Sequence, residues 1–174
     1  MNHSGGEQPV VVDAAFPGGN IIVEEIRGDT VRLRQDRRDS ESWWFYWSFR
    51  VRGAAGRTLV FDFQDGDVIG ARGPAVSTDE GRTWQWLGPG AVVRTESGAR
   101  FAYTFSVDGA RFSFSIPYVQ ADLARFGPVA DGVLQVGQLC RSRGGRSVEL
   151  LHLPARTPNR RVLRQRWRLF RAAC

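Results

Sequence analysis

The sequence predicts an all-β protein: an antiparallel β-sandwich of about eight to ten short strands, with one short helix and a basic C-terminal tail. Three observations lead there. Apolar and polar residues alternate over many short stretches, which is the period of a half-buried strand. Turn residues separate those stretches, and 20 Gly and 8 Pro are spread along the 174-residue chain. The third is the run from Ser42 to Val51, in which Trp43, Trp44, Phe45, Tyr46 and Trp47 stand in a row and Phe49 follows. So much ring area belongs in a packed, pleated environment.

That run reads as the central strand, Trp43 to Arg52. Trp43, Phe45, Trp47, Phe49 and Val51 form an apolar face for the core. Trp44, Tyr46, Ser48, Arg50 and Arg52 form a mixed face, suited to a sheet that is partly covered. Upstream, Met1 to Pro9 is a polar lead and Val10-Val11-Val12 a short strand. Phe16-Pro17-Gly18-Gly19-Asn20 has turn chemistry. Ile21 to Ile26 and Thr30 to Gln35 read as strands joined by a tight turn at Gly28-Asp29, with Val31 and Leu33 inward. Asp36 to Ser42 is a charged loop.

Downstream, Thr58 to Phe63 places Leu59, Phe61 and Phe63 on one face. Asp65-Gly66 is a turn. Val68 to Val76 holds Gly70, Gly73 and Pro74, so a strand there is broken or at an edge. Thr83 to Leu87 and Ala91 to Thr95 are short strands around Gly88-Pro89-Gly90. Phe101, Tyr103 and Phe105 alternate on one side of Asp108-Gly109, and Phe112, Phe114 and Ile116 on the other. This pattern predicts a β-hairpin that ends at Pro117. Val119 to Phe126 has helical spacing through Val119, Leu123 and Phe126, and Gly127-Pro128 stops it.

Charge is divided unevenly. All 24 basic residues are Arg. Residues 1–140 balance to −3, whereas residues 141–174 carry +9. The high isoelectric point therefore belongs to the tail, and it argues against reading the body as a nucleic-acid binder. Cys140 and Cys174 are too few for a disulfide framework, which fits a reduced, cytoplasmic setting. No apolar stretch approaches the ~20 residues of a membrane span, and no secretory leader is visible.

Chemistry-bearing motifs are sparse. Ser77-Thr78-Asp79-Glu80-Gly81-Arg82-Thr83-Trp84 fits S-x-D-x-G-x-x-W and resembles the Asp-box turn of sialidases. A propeller needs several such blades, so Asp79, Gly81 and Trp84 read here as a structural hairpin turn. The two histidines, His3 and His152, stand in a polar lead and an apolar strand. A catalytic zinc needs about three protein ligands, and no set can be assembled. The sequence offers no catalytic, metal or cofactor-binding residue. Leu163, Trp167 and Phe170 give the Arg-rich tail one amphipathic face; against a membrane-surface, nucleic-acid or partner contact, the favoured reading is a frayed or aberrant terminus, with no membrane partner and nucleic acid disfavoured.

Four blocks, taken in order, resemble the N-terminal domain of cytosolic-carboxypeptidase-type zinc carboxypeptidases. They are the turn Phe16 to Asn20, the strand Trp44 to Val51, Gly70-Ala71-Arg72-Gly73-Pro74, and Ile116-Pro117-Tyr118 with Asp122-Leu123. Asn20, Arg72, Pro74, Pro117 and Tyr118 carry the match, which spans residues 15–127. The resemblance implies a β-sandwich that precedes a catalytic domain. Residues 136–153 look like the first hairpin of that α/β domain. The family's zinc ligands, substrate arginine and catalytic glutamate map to no position here, so zinc belongs to the full-length family.

The expectation is therefore a flexible lead over 1–14, a β-sandwich accessory domain over 15–130, the start of a truncated carboxypeptidase domain over 131–153, and an Arg-rich tail over 154–174. The charge break suggests a truncated or frame-shifted gene. The expected partner is the missing catalytic domain, with self-association through unpaired strands. The rival reading is a carbohydrate- or peptide-binding module, which exposed coplanar Trp side chains would favour.

Overall fold

The computed structural model describes residues 9–38, 40, 45–64, 66–126 and 134–153. It divides into two units, one up to Pro117 and one from Tyr118. The first holds ten strands among the described residues: β1 (Val11–Asp13), β2 (Ile22–Arg27), β3 (Thr30–Arg34), β4 (Ser48–Arg52), β5 (Thr58–Phe63), β6 (Ala75–Ser77), β7 (Gln85–Trp86), β8 (Val92–Arg94), β9 (Ala99–Thr104) and β10 (Ala110–Ser113).

They form two five-stranded sheets, ordered β1-β4-β10-β6-β7 and β2-β3-β5-β9-β8. All pairings are antiparallel except β3 with β5, which run parallel with Val31 opposite Phe61. The chain leaves β3, crosses to the other sheet as β4, and returns as β5. Two reversals restore the original direction.

The inward face of each strand is apolar at alternate positions, as the pleat requires. Val31, Leu33, Leu59, Phe61 and Phe63 from one sheet meet Phe49, Val51 and Phe112 from the other, all fully buried. The Phe49 ring centroid lies 5.0 Å from that of Phe61. Trp47 joins this layer just before β4, 4.8 Å from Phe63. Its indole N–H donates to the Val68 carbonyl at 2.8 Å, so its one polar atom is satisfied inside the core.

The central strand is shorter than the aromatic run suggests. β4 begins at Ser48, where the bridge to Asn20 and the ladder to β10 begin. Phe45 therefore falls outside the pleat and is 49% exposed, against the expected core position. Trp43 and Trp44 lie outside the described residues.

The expected hairpin around Asp108-Gly109 does not form. β9 pairs with β5 and β8 in one sheet, and β10 pairs with β4 and β6 in the other. Phe101 and Phe112 are both core residues, so they face each other across the sandwich with centroids 5.5 Å apart. Side-by-side strands would have put one apolar face in the core and left the two sheets unlinked at this point.

The second unit contains α1 (Gln120–Phe126) and the antiparallel pair β11 (Gln135–Arg141) and β12 (Ser147–His152). The Asp122 carboxylate accepts from the Val119 N–H at 2.8 Å, which satisfies a donor at the helix start. Val136, Leu139, Val148, Leu151 and Leu153 are exposed on the hairpin. The polar lead, the Gly127-Pro128 stop, Asp65 of the Asp65-Gly66 turn and the Arg-rich tail lie outside the described residues.

Candidate functional site

The motif residues that the sequence singles out are placed mainly by backbone hydrogen bonding. Asn20 is 3% exposed and works as a clamp. Its N–H donates to Ser48 O at 2.8 Å, and its carbonyl accepts from Ser48 N at 2.9 Å. Its side-chain Nδ2 donates to Asp36 O and its Oδ1 accepts from Asp36 N, both at 2.9 Å. One residue thus ties β4 of the first sheet, through its backbone, to the segment that follows β3 of the second, through its side chain. Asn can do this because its amide carries donor and acceptor together.

The turn before Asn20 folds over the outer face of the first sheet. Tyr46 Oη donates to Gly18 O at 2.7 Å, and Arg38 Nη2 to Gly19 O at 2.8 Å. Beneath the turn, Arg50 of β4 stands directly opposite Arg111 of β10. The Phe16 ring lies over both, with its centroid 5.7 Å from the Arg50 guanidinium and 4.6 Å from that of Arg111. Cation–π attraction suits this arrangement, since the ring face is the electron-rich side.

Asp13 completes the cluster. It accepts from Arg50 Nη2 and Arg52 Nη2, each at 2.9 Å, and from the Ala15 N–H at 2.9 Å. Burial alone would raise its carboxyl pKa. The Ala15 amide and the two guanidiniums outweigh that and hold it below the ordinary value. Arg111 pairs with Glu80. Sequence reading placed Arg50 on the mixed face but not this cluster. Its members come from four segments, and no local spacing links them.

The S-x-D-x-G-x-x-W stretch is a turn between β6 and β7. Asp79 accepts from Thr83 Oγ1 at 2.6 Å, the Thr83 N–H at 2.9 Å, Ser77 Oγ at 2.8 Å and the Arg82 N–H at 3.0 Å. The Thr83 hydroxyl and amide are the main reason its carboxyl lies far below the usual carboxylate range. Gly81 has φ +85°, and its carbonyl accepts from Trp84 Nε1 at 3.1 Å. Each motif residue is spent on the turn itself.

The remaining matches are scattered. Arg72 is exposed and lies over the Trp86 ring, 5.7 Å from its centroid. Pro74 is buried, and its carbonyl accepts from Leu87 N at 2.9 Å. Pro117 ends the first unit, and Tyr118, 68% exposed, opens the second. Arg72 and Pro74 lie at the end of the β6–β7 ladder away from its turn. Asn20, Asp79 and Pro74 are thus structural anchors in separate places.

Among the described residues, no three His, Cys, Asp or Glu side chains gather where a metal ion would fit. His152 is exposed on β12, with Nδ1 3.3 Å from Gln135 Oε1. The described residues therefore do not fit a zinc centre. No described helix is long and apolar enough to cross a membrane.

Two packed sheets with mixed topology, joined by the Asn20 clamp, define the class: an all-β sandwich domain. Residues 12–126 match the family described as the cytosolic carboxypeptidase N-terminal domain, and the chain belongs to that family. The fold is similar to a metallo-carboxypeptidase from Burkholderia cenocepacia, with 22% identity and a TM-score of 0.70 over 87% of this chain and 41% of that one. It is also similar to a metallo-carboxypeptidase from Pseudomonas aeruginosa, solved in complex with (2-guanidinoethylmercapto)succinic acid. That match has 25% identity and a TM-score of 0.67, over 86% of this chain and 41% of the other. The chain thus spans about two fifths of the length of the solved proteins it matches. No curated protein matches it in sequence.

Proposed function

We propose that this domain is the non-catalytic accessory part of a zinc carboxypeptidase, which packs on a catalytic domain and shapes access to its cleft. The observation that carries this reading is the family match over residues 12–126. The coverage of the metallo-carboxypeptidases supports it, since more than half of each lies outside the match. The chemistry on this chain agrees. Asn20 and Asp79 are committed to a clamp and a turn, and the chain's described residues offer no metal centre. Trp47 is buried and Trp84 and Trp86 are half-buried, which favours an accessory role over a sugar-binding platform.

The proposed partner is a carboxypeptidase catalytic domain, and the proposed setting is the cytoplasm. We read the Arg-rich stretch over residues 154–174 as the product of a frame shift, because the charge balance passes from −3 over residues 1–140 to +9 over 141–174. The DNA downstream tests that point, and a second frame encoding H-x-x-E would support it. For the function, the protein is loaded with zinc, dialysed, and assayed for bound metal and for release of C-terminal residues from a peptide. Neither is expected. Stoichiometric zinc together with residue release would overturn the proposal.

A further inference from the structure

The Asp13 cluster has the build of a releasable strap. β1 has three residues and is the edge strand of its sheet. Its pairing covers Arg50 to Arg52 of β4. Beyond this short ladder, residues 10–17 are held by the Asp13 carboxylate, the Phe16 ring, the apolar packing of Val10, Val12 and Ala14, and the Phe16 carbonyl, which accepts from the Gly19 N–H at 2.9 Å. The Asp13 side chain is 20% exposed and bridges Arg50, 18% exposed, and Arg52, 52% exposed. Phe16 lies over Arg50 and Arg111. The next residues are fastened separately: Gly18 by Tyr46, Gly19 by Arg38, and Asn20 by Asp36. Pro17-Gly18 is the junction between the Asp13 segment and these separately fastened residues, spanned by the Gly19 N–H to Phe16 carbonyl bond, and Gly18 has φ +85°.

The charges that face Asp13 make its role specific. Arg50 and Arg52 approach from β4. Arg111 of β10 shares Phe16 with Arg50 and is paired with Glu80. With Asp13 neutral, Arg50 and Arg52 project from the same face of one strand without the carboxylate between them. The closed position then covers Arg50 beneath Phe16 with no counter-charge beside it, a desolvation cost that the open position relieves. Val10, Val12 and Ala14 pack against the core in the closed position, and that apolar packing has no charge dependence of its own.

We propose that residues 10–17 form a strap that opens as a unit about Pro17-Gly18 when the charge of Asp13 is lost or screened, while the sandwich stays folded. Opening uncovers the outer edge of β4, a row of unpaired N–H and C=O groups beside two arginines.

Hydrogen–deuterium exchange on the full chain at neutral pH tests this, read for the peptide covering residues 9–17 and for β5 and β9. Asp13→Asn is expected to speed exchange in 9–17 on the order of tenfold, the weight of a charge-assisted hydrogen bond. β5 and β9 should be unchanged, and Asp13→Glu should restore protection. Arg52→Gln, at a half-exposed side chain, should give a smaller rise in the same peptide. Unchanged exchange in 9–17 for both Asp13→Asn and Arg52→Gln would overturn the proposal. So would an Asp13→Asn protein that fails to fold, or one that loses protection in β5 and β9 in proportion, because the segment would then be part of the cooperative core.

Discussion

A Cβ atom placed on Gly109 would lie 2.3 Å from the carbonyl oxygen of Val51. The backbone of the β9–β10 connection passes directly over the end of β4, and the neighbouring Asp108 carbonyl accepts from the Ala54 N–H at 3.0 Å. Glycine is needed here for close approach. Gly109→Ala should cost on the order of 1–3 kcal/mol, the usual range for overpacking. Gly90→Ala, where no atom lies within 4 Å of the added carbon, is the control and should fall within about 0.5 kcal/mol of wild type. Urea denaturation of both variants checks the contrast.

Asn20→Ala removes both side-chain hydrogen bonds to Asp36 and leaves a part-buried peptide N–H and C=O without their partner. A loss of about 2 kcal/mol is expected. Asn20→Asp should not rescue it, since a carboxylate accepts from Asp36 N but repels Asp36 O. A rescue by Asp in chemical denaturation would show that the two-way amide pairing is unimportant.

The aromatic run should divide sharply in energy. Trp47→Ala empties a fully buried site and breaks the bond to Val68, at a cost of about 3–5 kcal/mol. Phe45 is half exposed against Phe114, with centroids 6.2 Å apart, and Phe45→Ala should cost below about 1.5 kcal/mol. Equal losses in thermal or urea unfolding would contradict the strand boundary at Ser48.

Asp79 gives the turn an acid-labile component. Its folded pKa is depressed from the ordinary 3.8 by the hydrogen bonds it accepts, first from Thr83. A depressed folded pKa means that the unfolded chain takes up the proton first. The stabilisation is therefore present above pH about 4 and is lost as the pH falls below it. The stability gap between wild type and Asp79→Ala should be constant from pH 5 to 7 and should narrow steadily below pH 4. A gap independent of pH would mean that the carboxylate charge is irrelevant to the turn.

The exposed apolar side chains of β11 and β12 point to association. Val136 is 54% exposed, Leu139 51% and Leu151 45%. Among the described residues, this sheet has two strands and two open edges. The full chain should dimerise or aggregate, and a chain ending at Asp131 should remain monomeric. Light scattering on both decides. A monodisperse monomer for the full chain would show that the hairpin is satisfied within it.

Much of the fold follows from residue order alone. A pleat turns every second residue inward, so Val31 and Leu33, or Leu59, Phe61 and Phe63, announce strand and core face together. The local chemistry of Ser77 to Trp84 likewise announces its turn, because every bond it needs lies within a few residues. The match of residue blocks to the carboxypeptidase N-terminal domain is also carried by the sequence.

Pairing across long separations is a different matter. Phe101 and Phe112 have the alternation and the Asp-Gly spacer of a hairpin, yet they face each other from opposite sheets. A period of two says which way a side chain points but not which strand lies beside it. Phe45 continues the aromatic period and still lies outside the core, because the ladder that would extend β4 begins only at Ser48. The Asn20–Asp36 clamp and the convergence of Asp13, Phe16, Arg50 and Arg111 were likewise decided by tertiary structure. Their partners are brought together by two sheets closing on one core, and nothing in the spacing of those residues encodes that meeting.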